Sequence, residues 1–224
     1  LFRSELGALL FFLFGLALVM TASRAVIAAF IGALLIVSLS VGRRALMVAL
    51  IAVLVLGGLG VYVITSARQQ ITANFNDDST ARRISYMRAG LKVIPQHPLL
   101  GVGMDSHKRH WQEWGFPGDY VTHTHSTPIQ IAMDRGLPAL GCYIWLVAVI
   151  LLAAWRGYQS AKEGQDIFRE GLMLGTFGAV LSFSLSSLTN YNFGDSEALM
   201  MLLFVTGLLF CCSSKTSENY FPTD

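Results

Sequence analysis

Two histidines, His123 and His125, are the residues of this sequence with the clearest capacity for chemistry. They stand two positions apart in the stretch THTHSTPIQ. An imidazole titrates near neutral pH, so it can accept the proton of a hydroxyl group. A His-x-His pair can also supply two metal ligands, with Asp105 or Asp119 as helpers, but no acidic residue or cysteine at a convincing spacing completes a set. General base, metal ligand and ordinary loop histidine all remain open on this pattern.

The residues after the pair predict a helix that positions His125. Thr127 as N-cap, Pro128 at the first helical position and Gln130 at the third form a capping-box pattern. Gly136 predicts the end of this helix. His125 is therefore expected immediately before a helix N-terminus, where free N–H groups and positive partial charge favour an anion and help to keep the imidazole neutral.

Three arginines are candidates for binding an anionic group. Arg24 lies between two apolar stretches, where a charge is costly and tends to be functional. Arg68 and Arg83 belong to a polar stretch, and a guanidinium group binds phosphate oxygens in bidentate pairs. The alternative for these two is a basic surface that touches lipid headgroups.

A second helix is predicted up to about Ile94, because Ser79 or Thr80 can cap its start and Pro95 ends it. Its apolar side chains recur at helical spacing and are expected to form its apolar stripe: Ile84, Met87, Leu91 and Ile94. Three aromatic residues further along the chain could stack on sugar rings or pack this part of the chain onto the membrane interface: Trp111, Trp114 and Tyr120.

The composition indicates that membrane-spanning helices hold these residues in place. The chain is 54% hydrophobic and 13% charged, with a mean hydropathy of +0.55, whereas soluble domains carry about 25% charged residues. Six apolar stretches approach the length that a helix needs to cross a bilayer: residues 6–20, 25–41, 45–65, 137–155, 171–188 and 198–212. We therefore predict an all-α, polytopic transmembrane helix bundle.

The distribution of Lys and Arg over the short connections between the spans predicts the orientation of the chain in the membrane. One side carries most of them: Arg3, Arg43, Arg44, Arg156, Lys162, Arg169 and Lys215. That side is expected to be cytoplasmic, so the polar segment, residues 66–136, faces outward with all five histidines. The predicted organisation is three spans in 1–65, a partly helical catalytic loop in 66–136, three spans in 137–213 and a cytoplasmic tail in 214–224.

Several classes of partner and cofactor are not expected. The formal net charge of +2 and the lack of a basic run argue against nucleic acid. No glycine pattern of a nucleotide-binding loop occurs. Cys142, Cys211 and Cys212 lie in or beside apolar stretches and give neither a disulfide framework nor metal spacing. The chain begins at Leu1 and enters an apolar stretch without a signal peptide, which suggests part of a longer protein.

The order of the motifs resembles the O-antigen ligase and polymerase superfamily of bacterial inner-membrane proteins. TASRA at the end of a span, ARRISYMRAGLKVIPQHPLLGVG in the polar segment and HTHSTPIQIAMDRGLPALG leading into a span carry the resemblance, which covers roughly residues 21–188. It implies glycosyl transfer on the periplasmic face from a polyprenyl diphosphate donor, without a metal or other cofactor. The acceptor is lipid A–core for ligases, another lipid-linked glycan for polymerases, and Ser or Thr of a protein for O-glycosylating members.

The resemblance also implies roles for single residues. Arg24, Arg68 and Arg83 would bind the diphosphate. His125 would act as the general base, and Arg83 would be the second catalytic residue. Members often have Asn where this chain has Ser126, which leaves open what orients the imidazole. The expected partners are the lipid-linked donor, a glycan acceptor and membrane lipids. A transporter is the alternative from another class, but the polar residues collect in the polar segment rather than in mid-span.

Overall fold

The computed structural model describes residues 2–21, 23–71, 79–118 and 121–214, and these residues contain no β-strand. Within these described residues, eight α-helices follow one another: α1 (Phe2–Met20), α2 (Arg24–Val41), α3 (Arg43–Ile71), α4 (Ser79–Val93), α5 (Ser106–Arg109), α6 (Thr127–Glu163), α7 (Ile167–Ser187) and α8 (Ser196–Ser214). Short 3-10 turns occupy Ile94–Gln96 and Asn192–Gly194. The chain forms two compact units, Leu1–Asp78 and Ser79–Asp224. The all-α prediction is confirmed.

Three helices within the described residues are long and apolar enough to cross a membrane: Arg24–Val41, Arg43–Tyr62 and Thr127–Glu163. Glu5–Met20 and Ser196–Cys211 are shorter apolar helices. These five helices correspond to five of the six predicted spans. The remaining stretch, 171–188, falls on α7, which is not among them.

The Leu1–Asp78 unit contains α1, α2 and α3. Small residues, Ala29 and Ala33, are buried on α2. A side chain at Gly60 on α3 would lie in ordinary van der Waals contact with Val19 and Ile27, so these helices pack closely through small residues, as is usual between helices in a membrane. Gly42 ends α2 with a φ of +140° and donates its N–H to the carbonyl of Ser38 at 3.1 Å.

The Ser79–Asp224 unit has two hydrophobic clusters. One joins α6, α7 and α8: Ile150, Ala154, Tyr158, Met173, Val180, Leu202 and Leu209. The other joins α4 and the residues after it to the start of α6: Tyr86, Ala89, Val93, Trp111, Phe116 and Met133. The second cluster gives the polar segment a small core of its own, which fixes α4 against the beginning of α6.

The apolar stripe predicted for α4 is corrected by the structure. Ile84 and Leu91 are 42% and 53% exposed, whereas Tyr86, Ala89 and Val93 are 5%, 4% and 1% exposed. The buried face consists of an aromatic residue and small residues, which allow α4 to approach α6 closely. Large aliphatic residues alone did not reveal this face.

A sharp kink interrupts α6 at Gly136, where φ is +85° and ψ is 171°. The turn that contains Pro98 and Val102 contacts this kink. The N–H of Leu137 donates to the carbonyl of Pro98 at 2.8 Å, and the N–H of Val102 donates to the carbonyl of Met133 at 2.8 Å. The backbone groups at the break therefore find partners. The sequence predicted that Gly136 ends the helix, whereas in the structure Gly136 bends the chain and α6 resumes directly after it.

Replacing Gly136 by alanine is expected to destabilise the Ser79–Asp224 unit. A Cβ atom there would lie 2.1 Å from the carbonyl oxygen of Leu99, and the positive φ adds strain for any L side chain. We expect a loss of at least about 2 kcal/mol, measured as a lower thermal unfolding midpoint in detergent. Gly141→Ala, on the same helix with nothing within 4 Å, is the control. Equal midpoints for the two variants would contradict the role of the kink.

Candidate functional site

A cavity of about 440 Å³ lies in the Ser79–Asp224 unit. Three segments that are distant in the sequence line it, namely α4, the histidine pair and the connection from α7 to α8: Arg83, His123, His125, Asn190, Tyr191, Asn192, Gly194 and Asp195. Its volume is in the range of sites that bind small molecules or parts of larger ones. The structure thus brings together Arg83 and His125, two residues that the sequence singled out.

One face of α4 carries Arg83 to the histidines. Arg83, Tyr86 and Gly90 stand at i, i+3 and i+7, so they share this face. A Cβ atom at Gly90 would lie 2.8 Å from Ile129 Cγ2 and 3.0 Å from Thr124 Cγ2. The absence of a side chain at Gly90 therefore allows α4 to lie directly against Thr124, which stands between the two histidines, and against Ile129 at the start of α6.

His125 adopts a left-handed backbone conformation with a φ of +57°. This conformation is uncommon for residues other than glycine, and such residues cluster at functional sites. The ring centroid of His125 lies 5.8 Å from that of Tyr86 and 4.4 Å from that of His123, to which it is edge-on. The backbone conformation and these two rings orient the imidazole, a task for which the sequence offered no residue.

The start of α6 differs from the predicted capping box. Ser126, not Thr127, is the N-cap, and its side chain makes no capping hydrogen bond. The buried side chain of Gln130 instead accepts the N–H of Thr124 at 2.7 Å and donates to Asp134 Oδ2 at 2.8 Å. Gln130 thus reaches past the N-cap and holds the backbone of the residue before His125.

The electrostatic environment keeps both histidines neutral at physiological pH. Burial, the neighbouring His123 and Arg83 lower the pKa of His125 to about 4. Burial chiefly lowers the pKa of His123 as well. Burial raises the pKa of Tyr191, so its hydroxyl group stays protonated. The cavity therefore combines a proton-accepting imidazole, a permanent positive charge and a neutral hydroxyl group.

Asn190 connects the three walls of the cavity. Its Oδ1 accepts a hydrogen bond from Arg83 Nη1 at 3.3 Å, and its Nδ2 donates to the carbonyl of Ser186 at 3.2 Å. Its carbonyl accepts the N–H and the hydroxyl group of Thr127 at 3.1 and 2.9 Å. In the sequence, residues 189–197 are only a short polar connection between two apolar stretches. No spacing rule links Asn190 to Arg83, 107 positions earlier, so only the polar NYN sequence could have marked it.

Two further residues of this connection complete the wall. The ring of Tyr191 meets His123 edge-on with centroids 5.7 Å apart. Asp195 is an acidic residue in a site with few other charges, but its Oδ1 accepts the backbone N–H of Glu197 at 3.1 Å. Because this carboxylate binds the N-terminus of α8, part of its charge is already balanced.

The other two predicted arginines belong to the Leu1–Asp78 unit. Arg24 is the first residue of α2, directly after the N-cap Ser23, and its side chain is exposed. Arg68 belongs to α3, but its side chain lies outside the described residues. Diphosphate binding by these two residues stays a prediction.

The predicted sugar contacts have different surroundings. Trp111 is 6% exposed, stacks on Phe116 with centroids 4.4 Å apart, and donates Nε1–H to the carbonyl of Gly118 at 3.1 Å. This burial favours its packing role. Trp114 is half-buried and stacks on His110 with centroids 4.9 Å apart. Tyr120 lies outside the described residues.

A metal site would need a third ligand beside the histidine pair. Among the residues that the structure describes, no group of three His, Cys, Asp or Glu side chains is arranged to hold a metal ion. Of the two carboxylates that the sequence suggested, Asp105 is described and Asp119 is not. The described geometry thus gives the pair no support as a metal site.

Comparison with curated proteins finds no match. A family model described as O-antigen ligase matches residues 9–144, which is more than half of the chain. The match includes Arg24, Arg83 and His125 and ends within α6, so the wall formed by residues 190–195 lies beyond it. The chain therefore belongs to the O-antigen ligase family of glycosyltransferase-like membrane enzymes.

Proposed function

We propose that this protein transfers an O-antigen glycan from undecaprenyl diphosphate to a hydroxyl group of lipid A–core, the ligation step of lipopolysaccharide biosynthesis. The observation that carries the proposal is the cavity in which a neutral His125 and the cation Arg83 face the same space. A glycan on a diphosphate is already activated, so the enzyme needs only a base for the acceptor and a counter-charge for the leaving group. Bacterial inner membrane and a periplasmic polar segment are part of this proposal.

In the proposed step His125 acts as the general base. The acceptor oxygen attacks the anomeric carbon, the bond from that carbon to the diphosphate oxygen breaks, and its electron pair leaves with the diphosphate. The hydroxyl proton passes to the imidazole of His125, which is neutral and can accept it. The two negative charges of the bound donor would also raise the pKa of His125, so the base becomes stronger when the donor is in place.

Arg83 is proposed to bind the diphosphate and to stabilise the charge that develops on it. Its guanidinium group can hold two phosphate oxygens at once, and Asn190 holds it at the edge of the cavity. Arg24 is proposed as a second contact, because it stands at the N-terminus of α2, where the helix itself favours an anion. Arg68 is proposed as a third. No cofactor takes part in this scheme, and Trp114 and Tyr120 are the proposed contacts for sugar rings.

Transfer in a defined system tests the proposal. The full-length protein is reconstituted in vesicles with purified undecaprenyl-diphosphate-linked glycan and one of three acceptors: lipid A–core, a second lipid-linked glycan, or a protein substrate with accessible Ser and Thr. We expect product on lipid A–core, with the same rate in the presence of a chelator. Product only on the lipid-linked glycan identifies a polymerase, and product only on the protein identifies an O-oligosaccharyltransferase. Lack of transfer to all three acceptors overturns the proposal.

A further inference from the structure

The turn that docks on the kink of α6 presents large apolar side chains outward. Leu99 is 70% exposed, Leu100 is 85% exposed and Met104 is 67% exposed. Single exposed apolar residues are ordinary on a protein surface. Two adjacent leucines and a methionine lie within six positions, in a segment that holds nearly half of the charged residues of the chain. They form an apolar patch that such a segment would not present to water. We call residues 98–104 the apolar turn.

The apolar turn lies at the level where α6 enters the membrane. Residues 137–155 are free of charged side chains and are bounded by Arg135 and Arg156. As a helix they span about 28 Å, close to the thickness of the hydrocarbon layer. Their first residue, Leu137, donates its N–H to Pro98 in the apolar turn at 2.8 Å. The exposed leucines therefore begin where the hydrocarbon layer begins.

A cation stands at the same level. Arg135 is exposed, and its Nη2 lies 3.1 Å from the sulfur of Met104 in the apolar turn. Arg135 also interacts electrostatically with Tyr191, which lines the cavity. A cation above apolar side chains matches the bilayer boundary, where phosphate groups lie above the acyl chains. The same residues thus connect the apolar turn to the cavity.

We propose that the apolar turn inserts Leu99 and Leu100 into the hydrocarbon of the leaflet that the polar segment faces, with Arg135 at the phosphate level. The partner is the bilayer itself. The insertion fixes the height of the cavity above the acyl chains, because the turn is hydrogen-bonded to α6, the helix that begins two residues after His125. A lipid-linked substrate would then meet the cavity at the depth of its own phosphate groups. The insertion does not depend on the reaction that the cavity performs.

Spin-label accessibility in lipid vesicles tests the insertion. The native cysteines are replaced by serine, and nitroxides are placed by Leu100→Cys, Gln112→Cys or Ile144→Cys in the full chain. Gln112 is an exposed polar position of the polar segment, and Ile144 is 56% exposed on the apolar part of α6. Because Leu100 is so exposed, the label is not expected to disturb the fold. Collision with oxygen reports hydrocarbon, and collision with a water-soluble nickel chelate reports water.

We expect the label at Leu100 to resemble the label at Ile144. Its collision rate with oxygen should be several-fold higher than that of the label at Gln112, and its collision rate with the nickel chelate several-fold lower. A label at Leu100 that is as accessible to nickel as the label at Gln112 overturns the insertion. Neither result bears on glycan transfer, so failure here and failure of the proposed function are distinguishable. Thermal unfolding of each labelled protein in the same vesicles checks that the fold is retained.

Discussion

Replacing His125 by asparagine is expected to lower the rate of glycan transfer by a factor of about 10²–10⁴, the usual contribution of a general base. Asparagine is a better test substitution than alanine, because it tolerates the left-handed backbone conformation that His125 adopts. It keeps a polar side chain in the cavity but cannot accept a proton at neutral pH. The measurement is the initial rate of transfer to lipid A–core by equal amounts of reconstituted protein.

The matched control for this prediction is His97→Asn, because His97 is exposed and is not part of the cavity wall. It should transfer at the wild-type rate. Thermal unfolding in detergent should be similar for both variants, which separates lost chemistry from lost structure. A His125→Asn protein that transfers at the wild-type rate would remove His125 from the mechanism.

The low pKa of His125 gives the same prediction a pH dependence. The base must be neutral, and an imidazole is neutral above its pKa. Burial chiefly, with His123 and Arg83, places that pKa at about 4 instead of 6.5. Since kcat/KM follows the ionisation of the free enzyme, it should stay level from about pH 8 to about pH 5 and fall only below that. A fall by half near pH 6.5 would show that the imidazole is unperturbed.

Replacing Arg83 by alanine is expected to lower kcat/KM for the lipid-linked donor by about 10²–10³, the usual cost of removing one group that stabilises developing charge. Arg83 is the cation that lines the cavity within the described residues. Arg83→Lys should recover only part of the loss, because an ammonium group cannot hold two phosphate oxygens in the planar arrangement of a guanidinium group. Steady-state transfer at varied donor concentration measures both variants.

Arg82→Ala is the control, because Arg82 neighbours Arg83 on α4 but is exposed and does not line the cavity. Asn190→Ala tests the positioning of the guanidinium group and should cost less than loss of Arg83 itself, since the charge remains. If Arg82→Ala and Arg83→Ala lose activity equally, the arginines act through a general surface charge, and a specific contact of Arg83 with the diphosphate is excluded.

The sequence predicted those parts of the molecule that follow from local rules. Apolar length and composition gave the helical membrane class, and caps and prolines gave α4 and the start of α6 within a few residues. The resemblance to a family selected Arg83 and His125 from several arginines and histidines. Local signals could not choose the buried face of α4, because its core residue Tyr86 is amphipathic and Ala89 and Gly90 are small.

Other features required the tertiary structure, because they depend on contacts between distant parts of the chain. Asn190 meets Arg83 across 107 positions, and the packing of α4 on the start of α6, with Gly90 at the contact, brings the two walls together. The side chain of Gln130 fitted a capping box by spacing, but burial directed it to Thr124 and Asp134. Sequence alone therefore determined the class of protein, because periodicity and composition are local properties, and the family resemblance pointed to two residues of the candidate site. The cavity itself depends on the tertiary packing, because helices approach closely only where small residues, such as Gly90, stand at their contact.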